Sequence, residues 1–188
     1  MHQLAIFASG NGTNAEALFN YFKNHAQVRV AALLSNNPDA FALQRANNHG
    51  IETRVFDKKQ FRESDDVLIW LRDRGVTHLV LAGFLWLVPP RLIQAFPDRI
   101  INIHPALLPK FGGKGMFGMH VHEAVKKSGE DTTGITIHLV NERYDEGQIL
   151  FQAACPVLTT DTAHEIAGRI HTLEQAHYPH VVEKWILG

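Results

Sequence analysis

Short apolar runs alternate with helix-like segments along the first two thirds of the chain. The runs end in Gly, Pro, Asn or Ser, as is typical of buried strands, and the segments between them repeat apolar residues at helical spacing. This alternation favours an α/β fold, a Rossmann-like, open and mostly parallel twisted sheet with helices on both faces. The predicted strands cover residues 4–8, 28–34, 54–56, 79–82 and 99–103, and the predicted helices cover 14–23, 40–48, 65–74 and 90–96.

The pattern changes in the last third of the chain. Four glycines within residues 110–119 predict a loop, and a short helix is predicted at 122–127. Two strand-like runs, at 134–140 and 148–157, are separated by a turn at 143–147 and followed by a helix-like stretch from 162 to about 185. We therefore expect a C-terminal antiparallel strand pair and a final helix. Nothing resembles a linker or a repeat, so residues 1–188 are expected to form a single domain.

Composition and charge exclude several classes of protein. The chain has 188 residues, with 18 Lys and Arg against 19 Asp and Glu, so the basic excess of a nucleic-acid-binding protein is missing. The longest apolar run, Leu79–Val88, is about half of the ~20 residues that a membrane span needs, and no signal peptide is recognisable, so no membrane association is expected. The single cysteine, Cys155, is expected to be buried and inert, and suits a cytoplasmic protein.

The carboxyl ends of the predicted parallel strands are where a ligand is expected to bind. These ends are residues 9–14, 35–38, 83–88 and 102–105. The first of them, from Ser9 to Asn14, contains Gly10 and Gly12 and leads into a helix, whose free N–H groups suit a phosphate. The second strand ends in Ser35-Asn36-Asn37, with no acidic residue there to hold a dinucleotide ribose, which favours a single phosphate over NAD. A tight turn with no ligand is the alternative.

Two other segments carry side chains suited to acyl-transfer chemistry. Asn102 and His104 lie two residues apart on a predicted strand and so share a face. An Asn amide can donate to an oxyanion, and a His can move a proton near pH 7. Asp145, in the predicted turn, could orient and charge-stabilise a histidine. The alternative for each is an ordinary role in a turn, where acidic residues and histidines are both common.

The twelve histidines raise the question of a metal site. His120 and His122 precede Glu123, and four more histidines lie in the final helix, but no H-E-x-x-H motif is present. We therefore expect no metal.

Taken in order, these segments resemble the glycinamide ribonucleotide formyltransferase family. The resemblance covers nearly the whole chain. It implies transfer of a formyl group from 10-formyltetrahydrofolate, a co-substrate, to the amine of glycinamide ribonucleotide in purine biosynthesis. The matching segments are Ala8 to Asn14, Leu34 to Asn36, Asp39 to Leu43, Leu81 to Phe84, Asn102 to Lys110, Gly134 to His138, Asp145 to Gly147 and Ala176 to Pro179.

The resemblance also implies roles for individual residues. Asn102 would bind the oxyanion, His104 would transfer the proton, and Asp145 would raise the pKa of His104. The nucleotide would be held by Gly12, Thr13, Asn14, His171 and Glu174. The folate would be held by Arg62, Leu85, Trp86, Leu87, Val88, Asn102, Asn141, Glu142, Arg143, Tyr144 and Asp145.

Other activities share this set of residues. Methionyl-tRNA formyltransferase and formyltetrahydrofolate deformylase share Asn, His and Asp at these positions, but each carries an added domain, so the length of this chain disfavours both. A formyltetrahydrofolate hydrolase, or a non-enzymatic binding module of the same fold, stays open as an alternative. Small molecules are the expected partners, and the sequence is compatible with a homodimer. The glycine-rich loop from Gly112 to Gly118 combines four glycines with apolar side chains, which predicts a lid over bound ligands. The alternative is that its aromatic side chains cover the core or form a subunit contact.

Overall fold

A seven-stranded sheet forms the centre of the molecule, whose computed structural model describes residues 1–188. The strands are β1 (His2–Phe7), β2 (Val28–Ser35), β3 (Glu52–Val55), β4 (His78–Leu81), β5 (Ile100–His104), β6 (Thr132–Leu139) and β7 (Ile149–Pro156). They are arranged in the order β3-β2-β1-β4-β5-β6-β7. The first five strands pair in parallel, whereas β6 is antiparallel to β5 and β7 is antiparallel to β6. The predicted fold class, including the C-terminal antiparallel pair, is confirmed.

Seven helices surround the sheet. They are α1 (Thr13–Phe22), α2 (Phe41–Asn48), α3 (Lys58–Arg62), α4 (Asp66–Asp73), α5 (Pro90–Ala95), α6 (Met119–Ser128) and α7 (Ala163–Leu187). Only α3 has no counterpart in the prediction, because five residues are too few to display helical periodicity. Its start is instead defined by a capping box, in which Asp57 accepts a hydrogen bond from the backbone N–H of Gln60 and the Gln60 side chain accepts one from that of Asp57.

The two faces of the sheet carry separate apolar cores. Alternation along β1 sends Leu4 and Ile6 to one face and Ala5 and Phe7 to the other, and all four are buried. Helices α1, α2, α6 and α7 cover the first face, and α3, α4 and α5 cover the second. Because helices cover both faces, the parallel strands are apolar on both sides, which explains their continuous apolar runs.

The sheet ends at β7, whose outer edge is unpaired. Cys155 lies on this strand and is partly exposed, so the prediction of a buried cysteine is wrong. An apolar run could not reveal that the strand would lie at the edge of the sheet. In the described chain, no helix is both long enough and apolar enough to cross a membrane.

Candidate functional site

A cavity of about 680 Å³ opens at the carboxyl ends of β1, β4 and β5. Its walls come from three of the four predicted strand ends, together with the glycine-rich loop and parts of α6 and α7. The exception is the segment 35–38 after β2, which does not line the cavity.

The segment after β2 does not line the cavity but contacts the loops that do. Ser9 is buried, and its hydroxyl donates to Asn36 Oδ1 at 2.6 Å while accepting from the backbone N–H of Leu85 at 3.1 Å. The side chain of Asn37 donates to the Ser9 carbonyl oxygen at 3.3 Å. One serine therefore connects the loops that follow β1, β2 and β4, which fixes the positions of two walls of the cavity.

The N-terminus of α1 forms one end of the cavity. Gly12 is its N-cap, with φ 79°, and no side chain caps the helix. The N–H groups of the first turn have no partner within a helix, so Thr13 and Asn14 present free donors together with the positive end of the helix dipole. Asn14 Oδ1 is also buried with no hydrogen-bond partner. All three residues line the cavity, and their arrangement suits an anion.

A polar cluster lies at the centre of the cavity. Asn102 and His104 share a face near the end of β5, and Asp145 reaches them from the segment between β6 and β7. Asp145 Oδ2 lies 3.6 Å from His104 Nδ1, and Oδ1 lies 3.4 Å from Asn102 Nδ2. The backbone N–H of Gly113 donates to Oδ2 at 2.9 Å. Although burial raises the pKa of Asp145, neighbouring donors and histidines outweigh it and lower the pKa overall.

The tautomer of His104 follows from its hydrogen bonds. Nε2 lies 2.7 Å from the carbonyl oxygen of Phe111, which can only accept, so Nε2 carries the hydrogen. In the neutral ring, Nδ1 therefore holds the lone pair and faces Asp145. Burial lowers the pKa of His104, and the charge of Asp145 opposes this effect without overcoming it. Asp145 does act in the predicted direction, but the net pKa of His104 is lowered, because the ring is 3 % exposed.

His138 is a member of this cluster that the sequence analysis did not single out. It lies opposite Asn102 in the β5–β6 register, and its Nε2 accepts a hydrogen bond from Asn102 Nδ2 at 3.1 Å. Its Nδ1 donates to the Leu139 carbonyl oxygen at 2.8 Å. His138 accepts one N–H of the Asn102 amide. The second N–H makes only the long 3.4 Å contact with Asp145 Oδ1. Alternation along β6 could have indicated which face His138 occupies, but not its partner.

Helices α6 and α7 also contribute to the cavity wall. His171 and Glu174, on α7, lie 2.9 Å apart through Nδ1 and Oε2, and both line the cavity. The hydrogen bond to Glu174 raises the pKa of His171, while burial opposes the rise. Glu174 is 5 % exposed, so this carboxylate is buried with a single ring as its partner. His122, on α6, is buried beside them.

The predicted folate-binding residues divide into two groups. Leu85 to Val88 line the cavity, as do Arg143 and Tyr144. Trp86 packs on the rings of Phe56, Phe61 and Phe84, at centroid distances of 6.0 to 6.4 Å, so this wall is aromatic.

Three of the predicted residues do not line the cavity, and these are Arg62, Asn141 and Glu142. Arg62 is exposed at the end of α3, where its carbonyl oxygen accepts from Arg91. Asn141 Oδ1 accepts from the backbone N–H of Arg143 at 2.9 Å and so shapes the turn that presents Arg143. No group of three or more His, Cys, Asp or Glu side chains is arranged to hold a metal ion.

Comparison with known proteins identifies the family. The protein-family model described as formyl transferase matches residues 2–182 of the chain. A phosphoribosylglycinamide formyltransferase of Escherichia coli strain K12 is 33 % identical over 189 residues, which cover 95 % of this chain and 84 % of that protein. A chloroplastic phosphoribosylglycinamide formyltransferase of Arabidopsis thaliana is 43 % identical over 186 residues, covering 96 % of this chain and 64 % of the relative.

A solved structure agrees with the sequence comparison. The glycinamide ribonucleotide transformylase 1 of Geobacillus kaustophilus matches with a TM-score of 0.90 at 33 % identity, covering 100 % of both chains. The chain spans 64 % of the Arabidopsis relative and 60 % of one from Vigna unguiculata. Since the family model covers nearly all residues and the fold agrees throughout, the chain belongs to the formyl transferase family.

Proposed function

We propose that the protein transfers a formyl group from 10-formyltetrahydrofolate to the amine of glycinamide ribonucleotide. The products are formylglycinamide ribonucleotide and tetrahydrofolate, and the reaction belongs to de novo purine biosynthesis. The observation that carries the proposal is the convergence of Asn102, His104 and Asp145 at the centre of one cavity, beside the open N-terminus of α1. Similarity to relatives named phosphoribosylglycinamide formyltransferase supports the choice of substrate.

The two ends of the cavity suit the two substrates. The first turn of α1, with Gly12, Thr13 and Asn14, offers N–H donors to the phosphate, and His171 and Glu174 face the rest of the nucleotide. The aromatic and aliphatic wall from Leu85 to Val88 suits the flat pterin ring system of a folate. The polar cluster lines the same cavity, and the formyl carbon and the amine meet there.

The first step is attack of the neutral amine on the formyl carbon. A C–N bond forms, and the electron pair of the carbonyl moves to oxygen to give a tetrahedral oxyanion. Asn102 donates its second N–H to this oxygen, while His138 holds the first N–H and orients the amide. One such donor contributes about 10²–10³-fold to the rate of acyl transfer.

The second step moves a proton from the attacking nitrogen to N10 of the folate. His104 Nδ1 holds a lone pair and accepts the proton, because Nε2 is already occupied by the Phe111 carbonyl oxygen. The resulting imidazolium faces Asp145, whose low pKa keeps it ionised. His104 then donates the proton to N10, the C–N10 bond breaks, and the oxyanion collapses to the new formamide.

An assay of the purified protein tests the proposal. We expect 10-formyltetrahydrofolate to be consumed only when glycinamide ribonucleotide is present, with one formylated nucleotide formed per folate released. Consumption of folate without the nucleotide would identify a hydrolase. Binding of both ligands with no turnover would identify a non-enzymatic module. His104→Ala, tested in parallel, should retain folate binding and lose turnover.

A further inference from the structure

His122 is a buried histidine of the cavity wall that the proposed reaction does not use. It lies on α6 with 3 % of its surface exposed, and it lines the cavity. Its Nδ1 atom is enclosed and has no hydrogen-bond partner. Three enclosed side-chain polar atoms in the described chain lack a partner, and two of them, His122 Nδ1 and Asn14 Oδ1, belong to this cavity. Unpaired polar groups of this kind are uncommon in native cores and call for a physical explanation.

The unpaired Nδ1 determines which tautomer is favourable. A buried N–H group without an acceptor is rarer, and less favourable, than a buried acceptor without a donor. The hydrogen of a neutral His122 is therefore on Nε2, which contacts no protein acceptor and is not enclosed. Burial lowers the pKa of His122, so the ring is neutral near pH 7. His122 thus presents one fixed N–H donor to the cavity.

A hydrogen-bond acceptor lies in the same wall. Glu174 is buried on α7, which packs against α6, and its carboxylate raises the pKa of His122 against the larger effect of burial. Glu174 Oε2 contacts His171, and Oε1 has no protein partner. Both residues line the same cavity and interact electrostatically, so the donor and the acceptor lie near each other in its wall.

We infer that the His122 Nε2–H donor and the Glu174 carboxylate acceptor together recognise one neutral group of the nucleotide substrate. This group must both accept and donate a hydrogen bond. An amide or a hydroxyl has this property, and glycinamide ribonucleotide contains both. The inference rests on the proposed function and makes His122 a specificity-determining residue for the formyl acceptor. A cationic residue at position 122 would instead pair with the Glu174 carboxylate, which would then no longer be free to accept a hydrogen bond from the substrate.

The test compares three substitutions of His122. His122→Phe keeps the ring and removes the donor, so the KM for glycinamide ribonucleotide should rise about 10-fold, the effect of one lost hydrogen bond together with an unpaired substrate atom. Affinity for a folate analogue should not change. His122→Gln carries an amide N–H near the position of Nε2 and should restore most of the lost affinity. His122→Asn reaches only as far as Nδ1 and should not.

The chemical group that His122 contacts is identified with a substrate analogue that lacks one ribose hydroxyl. If His122 binds that hydroxyl, the parent protein and His122→Phe will have equal KM values for the analogue. If it binds the amide, the 10-fold difference will persist. His120→Phe, an exposed histidine of the same helix, is the matched control and should leave the KM for the nucleotide unchanged.

Three results would overturn the inference. These are an unchanged nucleotide KM in His122→Phe, equal losses of nucleotide and folate affinity, or rescue by Asn rather than by Gln. Thermal unfolding of each variant separates loss of binding from loss of fold. If the parent protein binds glycinamide ribonucleotide but does not formylate it, the proposed function fails, while direct titration of the nucleotide still tests His122.

Discussion

Asp145 combines an unusual backbone conformation with four polar contacts. Its φ of 57° lies in the left-handed region, which Asp and Asn tolerate better than other non-glycine residues. Each carboxylate oxygen faces one histidine, Oδ2 facing His104 and Oδ1 facing His138, both at 3.6 Å. Position 145 therefore requires a residue that tolerates a left-handed backbone conformation and that carries a negative charge.

We predict that Asp145→Asn folds normally and loses most of its turnover. Asn tolerates the same φ, but it cannot stabilise the His104 cation that forms when the proton is transferred. A positioned proton-transfer group contributes about 10²–10⁴-fold, so the rate constant at saturation should fall by that order. Steady-state kinetics on protein with an unchanged thermal unfolding curve makes the measurement.

The neighbouring carboxylate provides the control for this variant. Glu146 is exposed and pairs with Arg143 at 3.2 Å, so Glu146→Gln should retain the parent rate. A rate for Asp145→Asn within about threefold of the parent would remove the charge of Asp145 from the mechanism.

At the scale of elements, the junction of β1 and α1 depends on close packing against α2. A Cβ atom added at Gly12 would lie 2.5 Å from Ala42 Cβ and 2.7 Å from Ala42 Cα, and φ is 79°. The backbone N–H of Ala42 donates to the Gly10 carbonyl oxygen at 3.1 Å, which holds the two segments together. Gly12 is thus required by packing as well as by any anion that binds there.

We predict that Gly12→Val weakens binding of glycinamide ribonucleotide more than binding of folate and also lowers the free energy of unfolding by about 1–3 kcal/mol. The nucleotide is affected more because α1 would have to move from the phosphate position. Calorimetric titration of each ligand and urea unfolding measure the two effects. Gly10→Ala is the control, since no atom lies within 4 Å of its added Cβ. Equal losses for both ligands would mean that the loop has only a structural role.

The glycine-rich loop is attached to the polar cluster at one end only. The Phe111 carbonyl oxygen and the Gly113 N–H contact His104 and Asp145, whereas Lys114, Gly115, Phe117 and Gly118 are exposed. We predict that hydrogen exchange in 114–118 is fast in the free protein and slows clearly when nucleotide and a folate analogue are both bound. The backbone N–H of Gly113 should be protected throughout. Strong protection of 114–118 without ligands would exclude a lid.

At the scale of the whole molecule, buried histidines couple stability to pH. His78 is 8 % exposed on β4, and its ring packs against Trp185 and His2 at centroid distances of 4.9 and 5.3 Å. Burial, together with the charges of His2 and Arg99, lowers the pKa of His78 to about 4. Between pH 6.5 and this value the unfolded chain binds a proton that the native protein does not, so stability falls as the pH falls.

We predict that the parent protein loses more stability between pH 7 and pH 5 than His78→Gln does, by on the order of 1–2 kcal/mol. Urea unfolding of both proteins at the two pH values measures the loss of stability in each. Subtracting one loss from the other cancels the contributions of the other histidines. Equal losses in the two proteins would show that His78 does not titrate abnormally.

The order of strands and helices could be predicted from the sequence, because each strand or helix depends on properties of its own segment. Apolar runs, helical spacing and glycine stops are local, and a parallel sheet then brings strand ends to one edge, where the cavity lies. The same logic located Gly12 to Asn14, Leu85 to Val88, and Asn102 with His104. The family resemblance, rather than any spacing, joined Asp145 to them.

Contacts between distant segments required the folded structure. His138 meets Asn102 through the β5–β6 register, and Ser9 joins three loops, because pairing of strands sets distances that spacing along the chain does not encode. Burial likewise depends on neighbours, which is why Cys155 is partly exposed at the sheet edge and why the net pKa of His104 falls despite Asp145. His122 could be named from the sequence, but its unpaired nitrogen exists only once α6 packs against α7.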